Sequence, residues 1–153
     1  MNTQPEFVQL TDGNVIFDAL CALGGNLFDQ SVNRPEILRA LAEKFAAHAN
    51  VLTLRRGEET AALCAWYDND LATRTAFLSV IVVAGSAQGC GCGSRLLTEV
   101  LRRCAEHGMR QMRLEVRKDN RAAIRFYENR GFRQERQQEG SLFYLRSIEG
   151  ENA

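Results

Sequence analysis

The sequence predicts an α/β protein of the α+β type, with one mixed central sheet of about seven strands and helices on both faces. Phe77 to Val83 is uncharged, β-branched and too short for a buried helix, which indicates a central strand buried on both faces. From Leu96 to Cys104, apolar residues recur at helical spacing, which indicates a helix with one buried face. Strand-like and helix-like stretches follow one another in the order βααβββαβαββ, and such elements pack as a sheet covered by helices.

Local signals set the boundaries of these elements. Thr11 or Asp12 offers an N-cap for the first helix, and Asn120 offers one for the last helix. Asp68-Asn69-Asp70 predicts a turn, and Gly108 lies where a C-terminal glycine cap is expected. The predicted strands are Phe7 to Leu10, Val51 to Arg55, Thr60 to Tyr67, Phe77 to Val83, Gln111 to Arg117, Phe132 to Gln138 and Leu142 to Ile148; the predicted helices are Val15 to Leu23, Pro35 to Phe45, Ser94 to His107 and Asn120 to Arg130.

Length and composition narrow the class of protein. A chain of 153 residues, 45% hydrophobic and 25% charged, predicts one ordinary globular domain. The formal net charge is zero, so no overall field favours nucleic acid or a membrane surface as a partner. From Arg95 to Arg136, however, twelve basic residues stand against six acidic ones. This excess suits a phosphate-rich cofactor, and it equally suits a set of solvated helix faces.

The cysteines and the N-terminal segment bear on compartment and metal binding. The five cysteines are odd in number, and Met-Asn-Thr-Gln-Pro-Glu lacks the features of a signal peptide, so we expect a cytoplasmic protein with reduced thiols. Cys90-x-Cys92 has no second Cys or His pair at zinc-site spacing, and His48 and His107 are isolated. The sequence therefore predicts no metal site.

The stretch between the predicted central strand and its helix is dense in glycine. A helix start carries unpaired N–H groups and partial positive charge, and glycines there let an anion approach the main chain. The stretch does not match the P-loop pattern, because no Lys follows these glycines. It does not match the dinucleotide-binding pattern G-x-G-x-x-G either, because its glycines are spaced G-x-G-x-G. What remains is Gln88-x-x-Gly91-x-Gly93, which fits either a pyrophosphate cradle or a plain glycine turn.

This turn resembles that of the GNAT acyltransferase superfamily, whose members use it to hold the pyrophosphate of acetyl-CoA. Leu114-Glu115-Val116, then Asn120-x-x-Ala123-x-x-Phe126-Tyr127, then Gly131-Phe132, resembles the next motif of that superfamily in residue type, order and distance. These segments are similar to those of ribosomal-protein-alanine N-acetyltransferase type members. The resemblance covers roughly residues 75 to 135, and it implies a single GNAT domain over residues 1–153.

The resemblance implies acetyl-CoA as co-substrate and assigns contacts to it. The pantetheine arm is expected to pair with the main chain of the central strand, and the pyrophosphate with main-chain N–H groups of the turn. Asn120 is implied to touch the cofactor arm, although helix capping alone would explain it. The implied contacts are Ile81, Val82, Val83, Gln88, Gly89, Cys90, Gly91, Cys92, Gly93, Ser94 and Asn120.

Two side chains are implied to carry the chemistry. Tyr127 lies where the superfamily places its general acid; the alternative is an aromatic side chain packed beside Phe126. Glu115 is the candidate general base, and an ion pair with Arg113 or Arg117 is the alternative.

The resulting prediction is a cytoplasmic N-acetyltransferase that transfers acetyl directly to a primary amine in a ternary complex. A small amine such as an amino sugar, amino acid or polyamine is preferred as acceptor because the closing turn at Glu139-Gly140 is short. A protein N-terminus and a non-catalytic acyl-CoA-binding module remain alternatives, and a homodimer is left open. Residues that could meet the acceptor, chosen by position only, are Phe28, Asp29, Gln30, Trp66, Tyr67 and Tyr144.

Overall fold

The computed structural model describes residues 4–148, and its elements follow the predicted order βααβββαβαββ. The strands are β1 (Glu6–Leu10), β2 (Asn50–Arg56), β3 (Glu59–Asp70), β4 (Thr75–Val83), β5 (Gln111–Arg117), β6 (Arg133–Gln138) and β7 (Ser141–Ser147). The helices are α1 (Gly13–Leu23), α2 (Pro35–His48), α3 (Cys92–Glu106) and α4 (Arg121–Glu128). None of these helices is long and apolar enough to cross a membrane.

The strands form one seven-stranded sheet in the order β1-β2-β3-β4-β5-β7-β6. Strands β4 and β5 pair in parallel, from Thr75 opposite Gln111 to Leu78 opposite Leu114. Antiparallel pairs join β1 to β2, β2 to β3, β5 to β7, and β6 to β7. The prediction of a single mixed sheet is confirmed.

By contacts, the chain divides into two compact units. Of the described residues, the first unit comprises 4–66 and 80–100. Its helix α1 begins as predicted at Asp12, whose carboxylate accepts the N–H of Asn14 at 2.7 Å. The helices α1 and α2 each bury one apolar face, represented by Leu20 and Phe45. Apolar burial at helical spacing thus forms the core of this unit.

The second unit comprises, within the described part of the chain, residues 67–79 and 101–148. Along β5, Leu114 and Val116 are buried whereas Glu115 and Arg117 are exposed, as the alternation predicts. Helix α4 begins at its N-cap Asn120, whose Oδ1 accepts the N–H of Ala123 at 3.2 Å. Strand β5 and helix α4 therefore follow the sequence pattern closely.

Two boundary predictions and one burial prediction are wrong. Asp68-Asn69-Asp70 belongs to β3, and the chain turns only afterwards, where Asp70 accepts hydrogen bonds from the N–H and hydroxyl of Thr73. Helix α4 ends at Glu128, before Arg130. Strand β4 is not buried on both faces: Ala76, Leu78 and Val82 are buried, but Ser79 is exposed and Ile81 and Val83 are half-buried. The apolar run hid this asymmetry because Ile and Val also occupy the partly exposed positions.

Candidate functional site

The glycine turn between β4 and α3 exposes its main chain to solvent. Gly89 and Gly91 have φ of 84° and 75°, a left-handed conformation that glycine adopts without strain. A Cβ at either position would meet no heavy atom within 4 Å, so backbone conformation rather than crowding requires glycine. Gln88, Gly89, Cys90 and Gly91 are exposed, whereas Cys92 and Gly93 at the helix start are buried.

Helix α3 presents a favourable N-terminus for an anion. Its first turn contains no acidic residue, so no carboxylate competes for the first N–H groups. The N–H groups of Gln88 and Cys90 already donate to the carbonyls of Gly85 and Ala87, at 3.4 and 3.3 Å, and that of Arg95 donates to the carbonyl of Gly91 at 3.0 Å. The amides that the turn can still offer to an anion are those of Gly89, Gly91, Cys92 and Gly93. Because glycine has no side chain, these amides can be approached directly.

The side chain of Gln88 donates hydrogen bonds to neighbouring residues of the protein. Its Nε2 lies 3.4 Å from the carbonyl oxygen of Val83 and 3.3 Å from Oδ1 of Asn26. Asn26 lies 62 residues earlier in the sequence, and no sequence signal connects the two positions. Asn26 is therefore a residue of this site that sequence reasoning missed.

The main-chain N–H groups at the end of β4 alternate between the two edges of the strand. The N–H of Ala84 donates to the carbonyl of Ala61 on β3 at 2.8 Å. Since alternate residues of a strand point their N–H groups to opposite edges, the amides of Ile81 and Val83 point away from β3. These are the donors that an extended ligand arm would need, whereas Val82 directs its N–H toward β3.

In the second unit, the carboxylate of Glu115 is exposed and unpaired. Arg113, one of its two predicted ion-pair partners, instead binds Glu135, with Nε 2.5 Å from Oε1. Between residues 4 and 148, no side chain forms a hydrogen bond or ion pair with Glu115. The ion-pair alternative is therefore wrong, and the carboxylate is available to a ligand or water.

Tyr127 is buried in an aromatic cluster. Its ring meets those of Phe126 and Phe132 edge to face, at centroid distances of 5.4 and 5.5 Å. The packing that sequence reasoning held as the alternative is thus present, and it fixes the ring. A fixed ring is compatible with a proton donor, which must be held in one orientation.

A basic pocket lies next to Asn120. Its volume is about 350 Å³, and it is lined by Arg117, Lys118, Asp119, Arg121 and Gly140. The N–H of Lys118 donates to the carbonyl of Gly140 at 2.8 Å, which joins the two chain segments that form the pocket. Three cationic side chains against one carboxylate favour an anionic ligand. The sequence showed the basic excess but not that it borders a pocket.

Two of the acceptor candidates are core residues. Trp66 and Tyr144 are each about 1% exposed. The hydroxyl of Tyr144 donates to Oε2 of Glu128 at 2.8 Å, and burial, together with this carboxylate, raises the pKa of Tyr144 to about 12. The position-based expectation is therefore wrong for both, because neither exposes a ring. Phe28, in contrast, is 53% exposed.

Comparison with known proteins decides the family. The family model described as "Acetyltransferase (GNAT) family" matches residues 25–132. The chain belongs to the GNAT acetyltransferase family. No curated protein sequence matches it. The GNAT resemblance and the prediction of an acyltransferase are thereby confirmed.

Solved structures show the same GNAT fold. The ribosomal-protein-S18-alanine N-acetyltransferase of Escherichia coli has a TM-score of 0.74 and 20% identity, over 94% of each chain. The PaiA N-acetyltransferase of Thermoplasma acidophilum, in complex with coenzyme A, has a TM-score of 0.73 and 13% identity, over 93% of this chain and 99% of the other. A GNAT family acetyltransferase of Elizabethkingia anophelis with acetyl-CoA bound has a TM-score of 0.72 and 15% identity, over 94% and 97%.

Within residues 4–148, no three His, Cys, Asp or Glu side chains come together as metal ligands would. All five cysteines lie in this range, and none forms a disulfide.

Proposed function

We propose that the protein transfers an acetyl group from acetyl-CoA to the primary amine of a small molecule. The observation that carries this proposal is the glycine turn, which offers exposed main chain at the start of α3 with no acidic side chain in the first turn. Pyrophosphate suits this place because helix N-termini favour negative charge and glycines permit close approach. The N–H groups of Gly89 and Gly91 in the exposed turn, and of Cys92 and Gly93 at the helix start, would bind the pyrophosphate. Those of Gln88 and Cys90 already donate to the carbonyls of Gly85 and Ala87, so these two residues shape the turn instead.

Acetyl-CoA supplies the thioester carbonyl that is attacked. Transfer forms a carbon–nitrogen bond and breaks the carbon–sulfur bond, so one proton must leave the amine and the departing thiolate must gain one. We assign the proton that leaves the amine to Glu115, directly or through water, because its exposed carboxylate has no hydrogen-bond or ion-pair partner among residues 4–148. The amide N–H of Ile81 or Val83 is the donor proposed for the oxyanion.

Tyr127 is proposed to serve the leaving thiolate. An ordinary phenol has a pKa of about 10 and an ordinary thiol one of about 8.5, so full proton transfer is uphill by about 2 kcal/mol. Hydrogen-bond donation concerted with bond breaking avoids that cost. Asn120 is proposed to contact the cofactor arm with the amide nitrogen that its capping hydrogen bond leaves available.

The closing hairpin supports a small acceptor. Strands β6 and β7 are joined by Glu139-Gly140, with φ of 40° and 85°, a tight turn with no inserted loop. A protein N-terminus is the second candidate, favoured by the Leu114-Glu115-Val116 segment. Such an acceptor would reach the enzyme as an extended peptide, for which the hairpin provides no additional loop.

Release of free CoA thiol from acetyl-CoA, measured across matched small amines and peptides, tests the proposal. We expect turnover with at least one small amine and a product heavier by one acetyl group. Turnover with peptides alone would favour the second candidate. Acetyl-CoA binding without thiol release for any amine or peptide would overturn the enzymatic proposal in favour of a non-catalytic binding module.

A further inference from the structure

The charged side chains around the basic pocket have no partners within the described part of the protein. The pocket, of about 350 Å³, is lined by Arg117, Lys118, Asp119, Arg121 and Gly140. None of its four charged side chains forms a hydrogen bond or an ion pair with any of residues 4–148, and each is exposed. Arg113, on the same strand as Arg117, is instead paired with Glu135. Three cations against one carboxylate leave the pocket with a net positive charge.

The start of α4 adds main-chain donors to this positive charge. Arg121, which lines the pocket, is the first residue of the helix, where the helix dipole places partial positive charge. Oδ1 of Asn120 accepts the N–H of Ala123, and its main-chain carbonyl accepts that of Ile124. The N–H groups of Arg121 and Ala122 have no acceptor inside the helix. Side chains and main chain therefore both favour an anion at this place.

The pocket adjoins the proposed general base on one face of the sheet. Glu115 and Arg117 are two residues apart on β5 and both are exposed, whereas Val116 between them is buried. Alternate residues of a strand project from the same face, and two steps along a strand cover about 7 Å. Their cross-strand neighbours on β7 are Phe143 and Ser141, in the same register. A short molecule with its amine at Glu115 therefore brings its other end to Arg117.

We propose that the basic pocket binds an anionic group of the acceptor, so that the acceptor is a primary amine that also carries a carboxylate or a phosphate. Cationic side chains bind either group through charge-assisted hydrogen bonds, and they repel an acceptor that carries a second ammonium. Amino acids and phosphorylated amines are thereby favoured over polyamines and unphosphorylated amino sugars. This inference rests on the proposed function, and it specifies the acceptor class.

The test uses two pairs of primary amines whose members differ in one anionic group: O-phosphoethanolamine with ethanolamine, and β-alanine with β-alaninamide. We expect the wild-type KM to be about tenfold lower for the anionic member of at least one pair, and that pair identifies the group as phosphate or carboxylate.

Variants of the pocket show whether this preference arises there. Arg117→Gln and Lys118→Gln should each raise KM for the preferred anionic amine about tenfold and leave the neutral amine unchanged, since each removes a charge-assisted hydrogen bond. Arg117→Lys keeps the charge and should retain most of the preference. Arg133→Gln is the control and should match wild type, because it removes an exposed cation at the end of β6 far from the Glu139-Gly140 turn.

Calorimetric binding of the four amines to the CoA-bound protein separates this inference from the proposed function. If no amine is acetylated but the anionic member of a pair binds more tightly, and Arg117→Gln removes the difference, the acetyl-transfer proposal fails and the anion site stands. The inference is overturned if neither pair shows a preference, or if Arg117→Gln and Lys118→Gln both leave the preference unchanged. It is also overturned if these variants weaken binding of CoA but not of dephospho-CoA, because the pocket then holds the ribose phosphate of the co-substrate.

Discussion

At the scale of single residues, the two buried tyrosines of the second unit provide a matched comparison. Tyr144 donates its hydroxyl hydrogen bond to Glu128, whereas Tyr127 is the side chain that we propose as the general acid. We predict that Tyr127→Phe lowers kcat at least tenfold with acetyl-CoA affinity unchanged, because proton donation occurs only in the reaction. Tyr144→Phe should cost about 1 kcal/mol in the free energy of unfolding and leave kcat within twofold. Steady-state kinetics and urea unfolding measure both, and a loss below twofold for Tyr127→Phe would remove it from the mechanism.

Glu115 is the second residue whose role can be isolated. A general base accepts its proton while the amine attacks the thioester, so its removal slows the chemical step. We predict that Glu115→Gln lowers kcat/KM by about a hundredfold near neutral pH. Glu135→Gln, which breaks the surface pair with Arg113, is the control and should keep the wild-type kcat/KM. A kcat/KM within twofold of wild type for Glu115→Gln would place the base elsewhere.

At the scale of elements, the glycine turn can be tested against another turn with the same conformation. Gly91 has φ of 75° and Gly57, in the β2–β3 turn, has φ of 61°; a Cβ would meet no heavy atom within 4 Å at either. Alanine at either position should therefore cost about 1–2 kcal/mol in the free energy of unfolding, through backbone strain alone. Only Gly91→Ala should also weaken acetyl-CoA binding, by about tenfold or more, because it alters the proposed cradle. Equal acetyl-CoA affinities in the two variants, measured calorimetrically, would contradict the assignment of the turn.

The same scale shows what the sequence could and could not reveal. Strand β5 and the cap of α4 were predictable because alternation and an N-cap Asn are local signals. The extension of β3 through Asp68-Asn69-Asp70 could not be predicted, because residues that favour turns can also lie in a strand. The hydrogen bond from Gln88 to Asn26 was equally hidden, since a contact over 62 residues leaves no mark in local sequence. Local sequence patterns thus predicted the helices, the strands and the glycine turn. The contact of that turn with Asn26 depends on long-range packing and could not be predicted.

At the scale of the whole molecule, binding of the co-substrate should raise the free energy of unfolding and the Tm of the protein. A ligand that binds only the folded protein, at a hundred times its Kd, adds about 2.7 kcal/mol to the free energy of unfolding. For a chain of this size, that gain raises Tm by roughly 5–10 °C. We predict such a rise with acetyl-CoA and with CoA, and a much smaller one with pantetheine, which lacks the pyrophosphate that the turn would bind. Thermal unfolding followed by circular dichroism, with EDTA present to exclude metal effects, measures the rise; an equal rise with NAD or ATP would show that the turn recognises phosphates without selecting coenzyme A.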